Sequence, residues 1–264
     1  MEGKKLFLTS HSGEEEHVRV VGTILSKLGL SPDALLCGVH PPLHGPSAAE
    51  LWKGGRQPRA VHCNCSGKHS GMLAICLQKG WPIDNYLDLN HPLQQLLLKT
   101  MREYHAYQEI VVGVDGCGVP VYGMPLRVMA RGYAKLVSPL ANCEETAGAA
   151  GQIVDAMTAH PGLVAGTDRF DTILMSVTGG RLLAKEGAEG VQCIGVKDRG
   201  IGIAIKIMDG ARRATGPVAV EVLRQLGLLS EAELAALSSR HHVPIKNHRG
   251  ETVGELRPIF QLKR

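Results

Sequence analysis

The sequence has few aromatic residues, no long apolar run and no large excess of one charge. Aromatic residues make up 4% of the 264 residues, which argues against a surface that stacks nucleic-acid bases. No run of about 18 apolar residues occurs, so no membrane span is predicted. Lys and Arg number 29 against 25 Asp and Glu, too small an excess for a nucleic-acid arm or a membrane-surface patch. We therefore expect a partner that is neither nucleic acid nor a membrane.

Cysteine and glycine are the residues whose use stands out. The seven cysteines are an odd number, and no secretory signal pattern follows Met1, so we expect a reduced, cytoplasmic protein with free thiols. Glycine contributes 32 residues without a fixed period, which excludes collagen and repeat arrays. The excess is typical of tight turns and close backbone approaches.

Hydrophobic periodicity predicts helices first and short strands later. We expect a capping box from Ser12 to Glu15, a helix ending at Gly29, and a loop over 161–172. Further helices are predicted at 48–52, 72–77, 92–104, 147–160, 217–226 and 230–237, and strands at 110–114 (buried), 182–185, 191–196, 202–207 and 254–258 (an edge). The fold class is therefore α/β (α+β), a single domain over 1–264 with a helical lobe at about 12–160 and a sheet lobe, an antiparallel meander flanked by helices, at about 172–264.

A glycine-rich segment around Lys68 is the strongest local signal. It runs Cys65-Ser66-Gly67-Lys68-His69-Ser70-Gly71 at a predicted helix start, where backbone N–H groups and one cation suit an anion or a carbonyl oxygen. It is not a phosphate-binding P-loop, because the first glycine of that motif is missing and His follows Lys. The alternative is a helix cap with a solvated lysine.

Three weaker signals lie elsewhere. Cys117, in Asp115-Gly116-Cys117-Gly118, could share a zinc ion with Cys65, or both could be small buried hydrophobes. Lys185 is followed by x-Gly, as in the sheet strand of serine acylases, or it is a solvated edge lysine. Ser10 lies at a strand-to-helix turn, where a serine is usually a cap.

Taken together, these segments resemble the L-asparaginase II family of the Rhizobium etli type. The segments that carry the resemblance, in order, are 9–14, 64–69, 115–118 with Pro120, His160-Pro161, 185–190, and 202–204 with 206–210. The resemblance implies a fold similar to serine β-lactamases and bacterial glutaminases, hydrolysis of L-asparagine to L-aspartate and ammonia, and a homodimer. It implies that Ser10 and Lys185 are catalytic, that Cys65, Lys68 and Cys117 bind the metal, usually zinc, and that Asp115 holds the substrate α-ammonium. His11 and His69 flank this site in the sequence and are candidates for substrate binding.

The sequence departs from the family at one point. The family's other Ser–Lys pair is an S-x-x-K motif upstream of the matching segments, and no lysine here has Ser or Thr three residues before it. We therefore expect the part of the family's N-terminus that carries this motif to be missing. Three alternatives follow: an active asparaginase-type amidohydrolase in which Ser10 is the nucleophile, a catalytically inactive zinc-binding homologue, or a related acyl hydrolase acting on glutamine or a β-lactam.

Overall fold

The computed structural model describes residues 10–138 and 144–263. The chain forms two compact units, one of Met1–Val128 with Gly162–Thr167 and one of Met129–Pro161 with Asp168–Arg264. Within the described residues, no helix is long and apolar enough to cross a membrane. Six of the seven cysteines lie in this part and are free thiols, and Cys143 lies outside it.

The elements form a mixed α/β architecture of helices and small antiparallel sheets, which confirms the coarse fold class. The helices are α1 Glu15–Lys27, α2 Gly45–Lys53, α3 Ser66–Lys79, α4 Pro92–His105, α5 Leu126–Val137, α6 Glu144–Ala159, α7 Pro161–Val164, α8 Phe170–Val177, α9 Thr215–Gln225, α10 Glu231–Ala236 and α11 Ser238–His241. The strands are β1 Val111–Val114, β2 Pro120–Gly123, β3 Leu182–Gly187, β4 Val191–Val196, β5 Ile201–Lys206, β6 Val243–Lys246 and β7 Thr252–Leu256. They pair as β1-β2, β3-β4-β5 and β6-β7.

The start of α1 differs from the predicted capping box. Its N-cap is Glu14, whose backbone N–H donates to Nδ1 of His17 at 3.1 Å, so the prediction of Ser12 as the cap was wrong. The physical reason is Gly13, which turns the chain at φ +70° where an added Cβ would meet the carbonyl oxygen of His62. The Ser12 hydroxyl instead donates to the carbonyl of Ala165 at 2.9 Å.

The first unit buries α1 and α3 in a common aliphatic core. Val21, Leu25 and Leu73 are fully or almost fully buried and belong to one hydrophobic cluster, which also contains Cys65 and Cys117. The helix α3 begins directly after Cys65 and ends at Gly80, which has the left-handed conformation typical of a helix C-terminus. The predicted helix after the glycine-rich segment is therefore confirmed.

The strands β1 and β2 form a hairpin whose turn carries the second thiol segment. Val114 pairs with Pro120, and Gly118 donates its N–H to the carbonyl of Asp115 at 2.9 Å. Gly118 has φ +82°, a conformation that favours glycine. The prediction that the first strand is buried was wrong, because Val111 and Val114 are 71% and 76% exposed.

In the second unit, β3, β4 and β5 form the predicted antiparallel meander. Lys185 is opposite Cys193, and Gly195 is opposite Gly202. An added Cβ at Gly202 would overlap the backbone of Ala130, so these glycines let α5 approach the sheet closely. The helix α8 packs on β3, although the sequence predicted a loop as far as residue 172. The predicted edge at 254–258 is β7, which pairs with β6.

Candidate functional site

Two thiols and a carboxylate meet at one point in the first unit. The ligand atoms of Cys65, Asp115 and Cys117 all lie within 4.8 Å of one another. Cys65 is the residue before α3, and the other two lie in the turn between β1 and β2. Both cysteines are buried. The packing of the hairpin turn against the start of α3 thus brings together the two segments from which the sequence predicted a metal site.

Lys68 adds an amine to this cluster from the first turn of α3. Its Nζ lies 3.3 Å from Oδ2 of Asp115, and each side chain is about one-third exposed (33% and 32%). Burial lowers the pKa of Lys68, but the neighbouring Cys65, Cys117 and Asp115 outweigh that effect, so its pKa is raised from the usual 10.5. Without a metal, Lys68 therefore holds its proton and pairs with Asp115.

The thiols also hold their protons in the absence of a metal. A hydrogen bond with Cys65 and burial raise the pKa of Cys117 to about 12. The bond with Cys117 lowers the pKa of Cys65, but the bond with Cys63 and burial outweigh it. Metal binding must displace these protons, as it does at protein thiolate sites in general. Two thiolates with a carboxylate or an amine suit a zinc ion, so the donor set fits the metal that the sequence predicted.

The environment of Cys117 includes His69, which is fully buried. The backbone N–H of Leu36 donates to Tyr86 Oη at 2.9 Å, and Tyr86 Oη lies 2.7 Å from His69 Nδ1. The Nε2 atom of His69 is also buried. His69 lowers the pKa of Cys117, as a donor beside a thiolate does.

Ser10 is held by a neighbour that sequence reasoning missed. Asn64 Nδ2 donates to Ser10 Oγ at 2.8 Å, and the backbone carbonyl of Asn64 accepts from the backbone N–H of His11 at 2.9 Å. The other side-chain atom of Asn64, Oδ1, lies 3.0 Å from Nε2 of His40. Because the serine oxygen accepts this bond, its own proton is available to a different acceptor. Asn64 directly precedes Cys65 in the sequence, and this adjacency was the available signal.

His11 is buried inside the first unit. Its Nδ1 accepts from the N–H of Gly13 at 3.1 Å, and its Nε2 lies 3.1 Å from Ser66 Oγ. The ring stacks on His17, with centroids 4.6 Å apart. These contacts tie the segment before α1 to the start of α3, and contact of His11 or His69 with a substrate stays a prediction.

Lys185 lies in the second unit, on β3. Its Nζ donates to the carbonyl of Glu186 at 2.6 Å and lies 3.6 Å from Oδ2 of Asp171, whose side chain is fully buried. The Lys185 side chain is 14% exposed, so it is not the solvated edge lysine of the alternative interpretation. Asp171 was not predicted as a site residue, because the sequence placed it in a loop.

The structure thus brings Cys65, Lys68, Asp115 and Cys117 together, whereas Ser10 and Lys185 belong to different units. These features define a chain of mixed α/β architecture in which two thiols and a carboxylate form a group that could hold a metal ion.

The family model of L-asparaginase II matches residues 5–258, and the chain belongs to this family. The predicted resemblance is therefore confirmed. Membership indicates an amidohydrolase of the asparaginase kind, which implies a small-molecule substrate. A search of curated proteins gave no match.

Proposed function

We propose that this protein hydrolyses the side-chain amide of L-asparagine to L-aspartate and ammonia. The observation that carries the proposal is the family match, which extends over residues 5–258. The Cys65–Asp115–Cys117 group supports it, because the sequence segments of that group are among those that resemble the family. Zinc is the proposed metal, with Cys65, Cys117 and either Lys68 or Asp115 as its ligands. When bound, a zinc ion supplies a positive charge that polarises a carbonyl oxygen.

In the proposed reaction, Ser10 is the nucleophile and Lys185 transfers the proton. A bond forms between Ser10 Oγ and the amide carbon, and the carbon–nitrogen bond breaks. The proton of the serine hydroxyl reaches the departing nitrogen by way of the lysine amine, so ammonia leaves. Water then hydrolyses the ester, which releases L-aspartate and restores the serine. The contact between Asn64 and Ser10 supports this role, because it holds the oxygen and leaves the hydroxyl proton available.

The remaining predicted residues have roles in binding. Asp115 offers an anion to the substrate α-ammonium, and His11 and His69 are proposed to shape the site. Asp115 also belongs to the metal-binding group, so its two proposed roles compete and need separate tests.

Ammonia release from L-asparagine tests the proposal. We expect Ser10→Ala and Lys185→Ala to lower kcat by several orders of magnitude, as loss of a nucleophile or its proton carrier does. Ser26→Ala, on the exposed side of α1, and Lys197→Ala, whose amine pairs with Asp155 at 3.8 Å, are the matched controls. Turnover that both site substitutions leave unchanged would refute the catalytic assignment.

The same assay separates the alternatives. A strong preference for L-glutamine or a β-lactam over L-asparagine would favour a related acyl hydrolase. Retained zinc with no turnover of any of these substrates would favour an inactive zinc-binding homologue.

Three finer predictions accompany this function as proposals. The fold is proposed to be of the serine β-lactamase and glutaminase type, the protein to be a homodimer, and its location to be the cytoplasm. The family resemblance supports the fold type and the dimer, and the cysteine usage of the sequence supports the location. Light scattering at micromolar concentration tests the dimer, and a monomeric mass would contradict it.

A further inference from the structure

We propose that Asp171 is the positioning residue of Lys185, a carboxylate that fixes the lysine amine for its proton transfer. This inference rests on the proposed function of Lys185 and adds a residue to it. Asp171 lies in the first turn of α8 and its side chain is fully buried. A carboxylate without solvent is stabilised only where it is paired and hydrogen-bonded, so its partners indicate its role.

The Asp171 carboxylate is held rigidly from two sides. Oδ2 accepts from the backbone N–H of Glu186 at 2.8 Å, and Oδ1 accepts from Nε2 of Gln192 at 2.9 Å. The first donor belongs to β3 and the second to β4, so the two strands fix both oxygens. The lysine therefore meets an acceptor that is already in place.

The lysine amine is fixed by one hydrogen bond and one ion pair. Oδ2 of Asp171 lies 3.6 Å from Nζ, and the carbonyl oxygen of Glu186 accepts at 2.6 Å. A lysine side chain has many rotamers, and these two contacts select one of them. For the proton transfer the amine is neutral, and its lone pair accepts the proton of the serine hydroxyl.

Neighbouring ionisable groups do not replace Asp171 in this role. The carboxylate of Glu186 pairs with Arg169 at 3.0 Å and with Arg212 at 2.5 Å. Cys193 is the cross-strand neighbour of Lys185, and burial together with the charge of Asp171 raises its pKa to about 12. Its thiol is therefore neutral near pH 7. Among the described residues, Asp171 is the carboxylate that the structure pairs with Lys185.

Kinetics of Asp171→Asn provide the first test. Asparagine has nearly the same size and removes the charge, so we expect kcat for L-asparagine to fall by about 10- to 100-fold, because a misplaced reacting group loses that much. KM should stay within about threefold of the wild-type value, because the substitution does not remove contacts that bind the ground state and the transition state equally. Asp171→Ser, which removes the carboxylate but keeps a small polar group, provides a second variant if the first does not fold. Asp155→Asn breaks the Lys197–Asp155 pair of the same unit and should leave kcat unchanged.

A second test does not depend on turnover. The protein is treated with an amine-acylating succinimidyl ester, and mass spectrometry follows the labelling rate of Lys185 with the exposed Lys27 of α1 as the internal reference. We expect Asp171→Asn to accelerate labelling of Lys185 about 3- to 10-fold, because the amine loses its ion-pair partner and samples more rotamers. Asp155→Asn should leave the Lys185 rate unchanged.

The two tests distinguish failure of the inference from failure of the proposed function. Equal Lys185 labelling in the wild type and in folded Asp171 variants would overturn the inference, and so would an unchanged kcat in an active enzyme. If the wild type releases no ammonia from L-asparagine, the proposed function fails. In that case faster labelling of Lys185 in Asp171→Asn would still support the positioning contact.

Discussion

At the scale of single residues, the candidate metal-binding group offers two alternative third ligands beside its two thiols. Lys68 and Asp115 contact each other at 3.3 Å, and each is close enough to the thiols to complete a ligand set. An amine must lose its proton before it can bind a metal, and the pKa of Lys68 is raised above 10.5. A carboxylate needs no such deprotonation near neutral pH, so the two candidates differ in their dependence on pH.

The ligand set can be resolved with four variants and a zinc-binding dye. Cys65→Ser and Cys117→Ser should each lower zinc affinity by two orders of magnitude or more, because each removes a thiolate ligand. If Lys68 is the third ligand, Lys68→Met lowers affinity strongly while Asp115→Asn lowers it by only about 10-fold, as a group outside the coordination shell does. Reversed magnitudes would assign the ligand to Asp115, and unchanged affinity in both cysteine variants would exclude the site.

Tyr86 offers a second residue-scale prediction. Its hydroxyl fixes the His69 ring through a 2.7 Å bond, and His69 in turn lowers the pKa of Cys117. Removal of the hydroxyl in Tyr86→Phe should lower zinc affinity by about 10-fold, the effect typical of groups that orient a ligand from outside. Competition with a chelator measures the change. Tyr107→Phe, whose hydroxyl is exposed beside Glu109, is the control, and equal affinity in both variants would contradict the role.

The residues that sequence reasoning found and missed differ in a physical way. Cys65, Lys68 and Cys117 were predicted because their side-chain chemistry is uncommon and their segments match a family. Asn64 and Asp171 were missed because amides and carboxylates occur throughout a sequence, and their role depends on which side chain they meet in space. Asn64 meets Ser10 across 54 positions of the chain, a pairing that no local pattern indicates.

At the scale of elements, glycine residues indicate the ends of two helices correctly but the start of α8 incorrectly. The turns at Gly29 and Gly80 end α1 and α3 with positive φ, and helix ends of this kind are visible in sequence. Gly162, Gly166 and Asp171 suggested a loop as far as residue 172, yet α8 begins at Phe170. Turn residues in the sequence therefore did not show where this loop ends. The packing of α8 on β3 decides where the helix forms.

The contact between α9 and α11 predicts how stability depends on pH. The Arg224 guanidinium lowers the pKa of Glu221 to about 2, burial opposes it, and Gln225 and His241 add to the lowering. His241 Nε2 lies 2.8 Å from Glu221. The unfolded chain has a Glu pKa near 4.5, so this stabilisation is complete above that value and is lost as the pH falls towards 2.

Glu221→Gln tests this linkage. Near pH 7 we expect a loss of roughly 1–3 kcal/mol in the free energy of unfolding, because a buried carboxylate with charged partners is removed. The difference from the wild type should shrink as the pH falls from about 5 to 2. Denaturant melts over this range measure it, with Glu231→Gln at the exposed start of α10 as the control. A difference that does not depend on pH would show that the charge has no part in the stabilisation.

At the scale of the whole molecule, a ligand that binds only the folded chain stabilises it by mass action. The cluster of Cys65, Asp115 and Cys117 joins residues 50 and more positions apart in the sequence, and an unfolded chain does not hold them together. Zinc should therefore stabilise the folded protein and not the unfolded one. A metal bound to unrelated surface histidines would have no such dependence on the two thiols.

Thermal unfolding with zinc and with a chelator measures this stabilisation. At a free zinc concentration 100 times the Kd, the gain is about 2.7 kcal/mol, which corresponds to a rise in Tm of roughly 5–10 °C for a chain of this size. The double variant Cys65→Ser with Cys117→Ser should lose this response, whereas Cys76→Ser, a buried thiol outside the group, should keep it even if its own Tm is lower. A zinc response that survives in the double variant would mean that the stabilising metal binds elsewhere, and the donor set proposed for this family member would be wrong.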